Sequence, residues 1–254
     1  MFRYKTFSSI PRFQYLRQLT AGSATVPIIL ALVMLSLLLL SAPGNASEAG
    51  DPLEPVNRAT LRFNRVVDSL LFKPVARTYS VVMPEFAKQG VHNFFSNAGD
   101  VTVVVNDLLQ FKFRQAGSDL SRVVVNSTLG VGGLFNVAGN ALGLKKHDED
   151  FGQTLAAWGV GSGPYLVLPL LGPSTVRDAF GLATDSLTDP IVALNHEPTR
   201  NDLLAGESLD FRARVLHFDD LISGDEYLFI RSAWQQHREF QVSDGRQELA
   251  FESF

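Results

Sequence analysis

The 254 residues contain no cysteine. Disulfides, thiolate metal sites, cysteine nucleophiles and acylation on sulfur are therefore excluded. Five histidines are left as possible ligands or proton carriers: His92, His147, His196, His217 and His237. No two stand three or four positions apart, so no helix face offers a pair of metal ligands. Ser162 lies among glycines, but Val160 and Pro164 occupy the places where a strained nucleophile turn needs Gly. Gly159-Val-Gly161 fails as a dinucleotide loop, because Pro164 stands where the third glycine belongs. No Gly-Lys-Ser/Thr phosphate loop occurs, and Asp219-Asp220 reads as a solvated pair on a helix. The pattern predicts a protein that is not an enzyme and uses no cofactor or metal. A net charge of −4 argues against nucleic acid, whose binders are normally basic.

The elements around these residues are apolar and mostly helical. Residues 1–46 begin with Arg3, Lys5, Arg12 and Arg17, continue through the apolar run Val26–Leu40, and end in small residues. That order is a signal peptide with cleavage after Ala46, or else a retained N-terminal anchor. Residues 47–56, with Asp51-Pro-Leu-Glu-Pro55, read as an extended linker. A helical domain is expected over 57–242 and a polar tail over 243–254. Phe63, Val66, Val67, Leu70 and Leu71 share one helix face, and Pro74 should end or kink that helix. A helix opened by Pro84 should stop at Gly99, with Asp100 capping the next. Ser118 and Asp119 should open another, with Leu120, Val123 and Val124 inward.

Glycines crowd residues 130–143, which suits either close backbone packing or a loop. Gly159–Pro164 is a turn signal with an apolar arm on each side, so an apolar hairpin-like loop is expected around it. Pro169 and Pro173 disfavour a central strand in its second arm. Ser174 should cap a helix running through Val176, Phe180, Ala183 and Leu187. Two further helices are expected over 207–222 and 225–240. Phe, at 19, outnumbers Trp (2) and Tyr (5) together. Such apolar content on short amphipathic helices suits a core or a surface lying in lipid, and Arg58, Arg62, Arg65 and Lys73 supply a basic polar face for the latter.

Four stretches occur in a particular order: Asp51-Pro-Leu-Glu-x-x-Asn57-Arg58 followed by Phe63-Asn64; Asn93-Phe-x-x-Asn97; Asn126-Ser-Thr-Leu-Gly-Val-Gly-Gly133; and Phe151-Gly-x-Thr-Leu155 leading to Gly159-Val-Gly-x-Gly-Pro-Tyr165 and Arg177-Asp178. Together, from about Asp51 to Phe240, they resemble the MlaA/VacJ family of outer-membrane phospholipid-transport proteins. The resemblance implies an all-α, ring-like arrangement of short amphipathic helices, with the apolar hairpin-like loop, lying in the inner leaflet of the bacterial outer membrane. It implies removal of misplaced phospholipids from the outer leaflet through an amphipathic channel. The implied partners are phospholipids, a porin trimer, the membrane leaflet itself and a soluble periplasmic lipid carrier; none is nucleic acid.

By the same resemblance, Asn57, Arg58, Phe63 and Asn64 form the lipid-channel motif. Gly159, Gly161, Gly163 and Pro164 form a loop hinge, or simply a tight turn. Arg177 and Asp178 suit a structural ion pair. Many family members are lipoproteins acylated on Cys, and this chain departs from them: an exported protein that is not a lipoprotein is expected. A porin-associated scaffold without transport, or a lipid-degrading enzyme, are the competing readings.

Overall fold

A computed structural model describes residues 51–222 and 224–245. The leader at 1–46 and most of the tail lie outside them. The fold is helical with one small hairpin. Helix α1 (Glu54–Val67) starts three residues before Asn57. Pro55 is in its first turn, where a missing N–H costs nothing. Pro74 does not end the helix. A π-turn over Asp68–Phe72 carries the chain into α2 (Lys73–Val82), and the Lys73 N–H reaches back to the Asp68 carbonyl. That wider turn makes room for a residue that has no N–H to donate.

Helix α3 (Glu85–Leu109) runs straight through Gly99 and Asp100, contrary to the expected break. Asp100 is buried in mid-helix and needed there for ion pairs, while Gly99 is exposed. Helix α4 (Phe113–Thr128) begins before Ser118 and packs back on α3 as an αα-hairpin. Short helices α5 (Val137–Leu142) and α6 (Phe151–Ala157) follow, capped by the side chains of Asn136 and Asp150. The strands β1 (Tyr165–Leu168) and β2 (Gly172–Thr175) pair antiparallel, Tyr165 opposite Thr175 and Leu168 opposite Gly172. The hairpin apex is thus Pro169–Leu171, not Gly159–Pro164, and the first arm is the helix α6. Thr175, rather than Ser174, caps α7 (Val176–Asp185). Helix α8 (Glu197–Arg214), a 3₁₀ turn (Leu216–Leu221) and α9 (Glu226–Val242) complete the described chain.

Burial is inverted relative to an ordinary globular core. The largest fully buried side chains are Asn57, Asn106, Thr154, Asp100, Asp107 and Asp119. Large apolar residues lie outside: Phe63, Val66, Leu70 and Leu71 on the first helical run, Leu120 and Val124 on α4. Helix α4 therefore faces the opposite way from the expected one, with Asp119, Arg122 and Asn126 inward. The amphipathic periods were real, but the polar stripe is the inner one. A small apolar cluster of Tyr165, Val167 and Tyr227, with Leu61 and Trp234 against it, sits behind β1.

The sharpest packing constraint is where α6 meets α7. A Cβ on Gly181 would run into the backbone of Gly152, and one on Gly152 would strike Arg238 and Asp178. Gly181 lets the helix backbones touch, and Gly152 leaves room for Arg238 to reach Asp178. Gly181→Ala should lower stability by about 1–3 kcal/mol, read by chemical denaturation. An unchanged midpoint would mean that the crossing is looser than drawn.

Candidate functional site

The N-terminal motif residues meet at the hairpin. Asn57, 2% exposed, donates from Nδ2 to the Tyr165 carbonyl at 3.0 Å and accepts the Val167 N–H on Oδ1 at 2.8 Å. Asn64, two turns further along α1, does the same one step along: it donates to the Leu168 carbonyl at 2.9 Å and accepts the Leu170 N–H at 2.8 Å. Each primary amide carries one acceptor and donors in one plane. Asn57 thus stands in for a neighbouring strand on the free edge of β1, while Asn64 holds the strand's last carbonyl and the hairpin apex. The Val167 N–H thus turns away from β2, so Pro173 opposite it forfeits no ladder bond.

Asn57 also donates to Asp51 at 2.9 Å, and the Tyr227 hydroxyl hydrogen-bonds the same carboxylate. Arg58 grips Glu54 at 2.7 Å and both oxygens of Asp225 at 3.0 and 2.8 Å, with its guanidinium 4.6 Å above the Tyr227 ring. The hydrogen bond from Arg58 holds the Asp225 carboxyl below the usual range. Asp225 in turn caps α9. Phe63 is outward and exposed. Three of the four motif residues therefore tie α1 to the hairpin and to α9.

The hinge residues form the connector from α6 to β1. Gly159 (φ 87°) closes α6 in the left-handed conformation, and Gly163 (φ 68°) adopts it again. A side chain on Gly163 would press on Val176 at 3.1 Å. The Ser162 and Pro164 carbonyls accept the Arg177 and Val176 N–H groups at 3.1 and 3.2 Å, which pins the connector to α7. Gly161 has open space around it and no left-handed backbone.

Arg177 and Asp178 do form an ion pair, 3.0 Å. Arg238, whose position in the sequence gave no signal, joins it: 2.7 Å to Asp178, and 2.6 and 2.8 Å to the two oxygens of Asp150. Burial opposes ionisation of Asp178, but hydrogen bonding to Arg238 and the charge of Arg177 outweigh it, so its carboxyl titrates below the ordinary range. A second network fills the space between α3 and α4. Arg122 bonds Asp100 at 3.4 Å and the Leu144 carbonyl at 2.7 Å, and lies 3.9 Å from Asp119; Lys146 also pairs with Asp100. His147 meets Asp119 at 2.7 Å. Gln115 bridges Asp107 and Glu149, and Lys112 meets Glu149 at 2.8 Å. No cluster among the described residues has the composition of a metal site.

Within that network Asp107 Oδ2 and Asp119 Oδ1 are buried with no hydrogen-bond donor. A proton on Asp107 would supply the missing donor. Burial chiefly, then the hydrogen bond to Asp119 and its charge, push the Asp107 carboxyl up to about 7.

A family profile described as "MlaA lipoprotein" matches residues 49–241. The chain belongs to the MlaA family. The intermembrane phospholipid transport system lipoprotein MlaA of Shigella flexneri is 35% identical over 217 residues, 83% of this chain and 86% of that one. An uncharacterised protein of Rickettsia bellii is 37% identical over 199 residues, 77% of this chain and 78% of its own length. A solved chain from "Structural basis for maintenance of bacterial outer membrane lipid asymmetry" superposes with a TM-score of 0.68 at 34% identity, covering 76% of this chain and all of that one.

Two outcomes follow for this MlaA-family chain. Asn57→Ala strands a buried N–H and a carbonyl on β1, and should cost about 3 kcal/mol. Hydrogen exchange should accelerate at the Val167 amide, whereas Asn64→Ala should release the Leu170 amide instead. Unchanged exchange at both would refute the clamp. Asp107 holds in the folded state a proton that the unfolded chain releases near pH 4. Its contribution is complete below that pH and is lost as pH rises through about 7. Asp107→Asn keeps the donor to Asp119 and the acceptor for Gln115. Its melting temperature, relative to the native chain's, should therefore rise between pH 6 and pH 8. A constant difference would mean that no proton is shared.

Proposed function

We propose that this chain takes phospholipids out of the outer leaflet of the bacterial outer membrane and passes them toward a soluble periplasmic carrier, so maintaining lipid asymmetry. The observation that carries this reading is the inverted burial: ionised and amide groups inside, Phe, Leu and Val outside. In water that surface would be an aggregation liability; against acyl chains it is stable. No helix among the described residues is long and apolar enough to cross a membrane. The fitting arrangement is a set of helices ringed in one leaflet, the periplasmic one, with polar side chains lining the way for a head group. The names of the relatives point the same way, one as a phospholipid transport lipoprotein and one through outer membrane lipid asymmetry.

Those relatives are called lipoproteins, and these 254 residues offer no sulfur to acylate. Retention in the leaflet then falls to the apolar helix faces, after cleavage of the leader. A porin trimer is the expected neighbour in the membrane. The connector Gly159–Pro164 acts as the hinge, with Gly161 as its free point, and Asn57, Arg58 and Asn64 hold the hairpin against which it moves. Phe63, outward on the same helix, meets lipid.

Deleting the gene should raise outer-leaflet phospholipid and detergent sensitivity. Restoring it with Gly161→Pro should leave the folded protein at normal levels but fail to restore asymmetry. Full complementation by the stiffened loop would favour a porin-bound scaffold that moves no lipid, and an unchanged outer leaflet in the deletion strain would sink the transport reading altogether.

A further inference from the structure

An open cavity of about 750 Å³ lies where the α3–α4 turn faces the segment after α5. Its wall has two characters. Phe111 and Phe113 supply an apolar side, their rings edge to face at 6.1 Å. Lys112, Arg114 and Lys145 supply a cationic side with the His147 ring beside them, and no carboxylate lines it. Lys112 and His147 are already engaged, by Glu149 at 2.8 Å and Asp119 at 2.7 Å. Arg114 and Lys145 are exposed and have no ion-pair partner among the described residues.

The turn itself is strained. Phe111 holds φ at 61°, a conformation that a bulky L-residue adopts at a cost, and its ring is 74% exposed. Folding alone would favour glycine there. The first turn of α4, which lines the same space, has no side-chain cap on its N–H groups. Unpaired cations, free backbone donors and an exposed aromatic pair, one of them on a strained backbone, converge on one cavity of a size typical for a bound small molecule.

We infer that this cavity binds a phosphate diester carried on acyl chains, Arg114 and Lys145 taking the phosphate and Phe111 and Phe113 the first part of the chains. The inference rests on the phospholipid reading above and adds to it a site and a preference. An anionic head group such as phosphatidylglycerol is favoured over phosphatidylethanolamine, because no carboxylate is present in the cavity to receive the ammonium.

The test is calorimetric titration of the purified full chain, in a phosphate-free non-ionic detergent, with dihexanoyl-phosphatidylglycerol, dihexanoyl-phosphatidylethanolamine, dihexanoylglycerol and inorganic phosphate. Phosphatidylglycerol should bind most tightly, and the neutral glyceride should not bind. Arg114→Ala with Lys145→Ala should weaken phosphatidylglycerol about tenfold or more, as expected for losing charge-assisted hydrogen bonds. Both residues are exposed, so the fold should be unaffected. Phe111→Gly removes the ring and relieves the backbone, so it should weaken lipid binding while leaving the melting temperature equal or higher. A merely structural Phe111 would not separate those two readouts. Equal binding by native chain and double variant overturns the site. Inorganic phosphate binding as tightly as the lipid overturns it too, leaving a small-anion site. Either result leaves the transport reading intact if the deletion strain still accumulates outer-leaflet phospholipid. Normal asymmetry in that strain, with phosphatidylglycerol held through Arg114 and Lys145, would overturn transport but keep the site.

Discussion

A buried ionised group must be paired, and in this chain that requirement sets where the helices go. Arg122 lies on α4 with its charge between Asp100 of α3 and Asp119 of its own helix, both 1% exposed. An unpaired charge there would cost several kcal/mol, so α3 and α4 can dock in one register only. The same logic fixes the other end. Arg238 of α9 must meet Asp150 before α6 and Asp178 of α7, and it does so through the space left by the missing side chain of Gly152. Asn106, Thr154 and Asp185 then join the two halves by hydrogen bonds of 2.8 Å each. Apolar burial is indifferent to small slips in register, but these pairs are not.

Filling the interior with polar side chains leaves the apolar ones no place but the surface. Phe63, Leu70, Leu120 and Val124 are exposed because the opposite faces of their helices are committed to Asn57, Asn64, Asp119 and Arg122. The polar interior and the apolar surface are thus two results of one pattern. It also explains how helices too short or too polar to span a bilayer can still belong in one. They need only lie flat, apolar side toward acyl chains and ionic side toward each other.

The sequence made the helices visible and hid their orientation. Periodicity located the apolar stripe of α4 correctly, but a stripe does not say what it faces. The reading put Leu120, Val123 and Val124 inside, on the usual rule that the apolar stripe is the buried one. Asp100 looked like a cap because aspartate usually is one, and only its distant partners Arg122 and Lys146 reveal a buried charge. Pro74 looked like an end because a π-turn leaves no trace in local composition. The turn at Gly159–Pro164 was legible, yet the hairpin apex was misplaced, since Leu170 adopts φ 63° without the glycine that would have marked it. Asn57 and Asn64 were found through the ordered family motif, whereas their role was not: pairing with a strand edge more than a hundred positions away has no local signature.

That role changes how the motif and the hinge relate. Asn57 and Asn64 fix the hairpin to α1 at four backbone groups, three on β1 and one at the apex, and Asp51, Arg58 and Tyr227 bind the same unit to α9. The hairpin therefore moves with α1 or not at all. The connector before it is held at its far end by two bonds from the start of α7 and at Val160 by a 3.5 Å bond from the Arg177 side chain, and Gly161 lies between these two anchored points. Any displacement of the hairpin must be taken up there, because the strand side is clamped. A change in the N-terminal motif would then reach the connector through the backbone of β1. Under the proposed transport reading, Asn57 and Asn64 would act on the connector without touching a lipid.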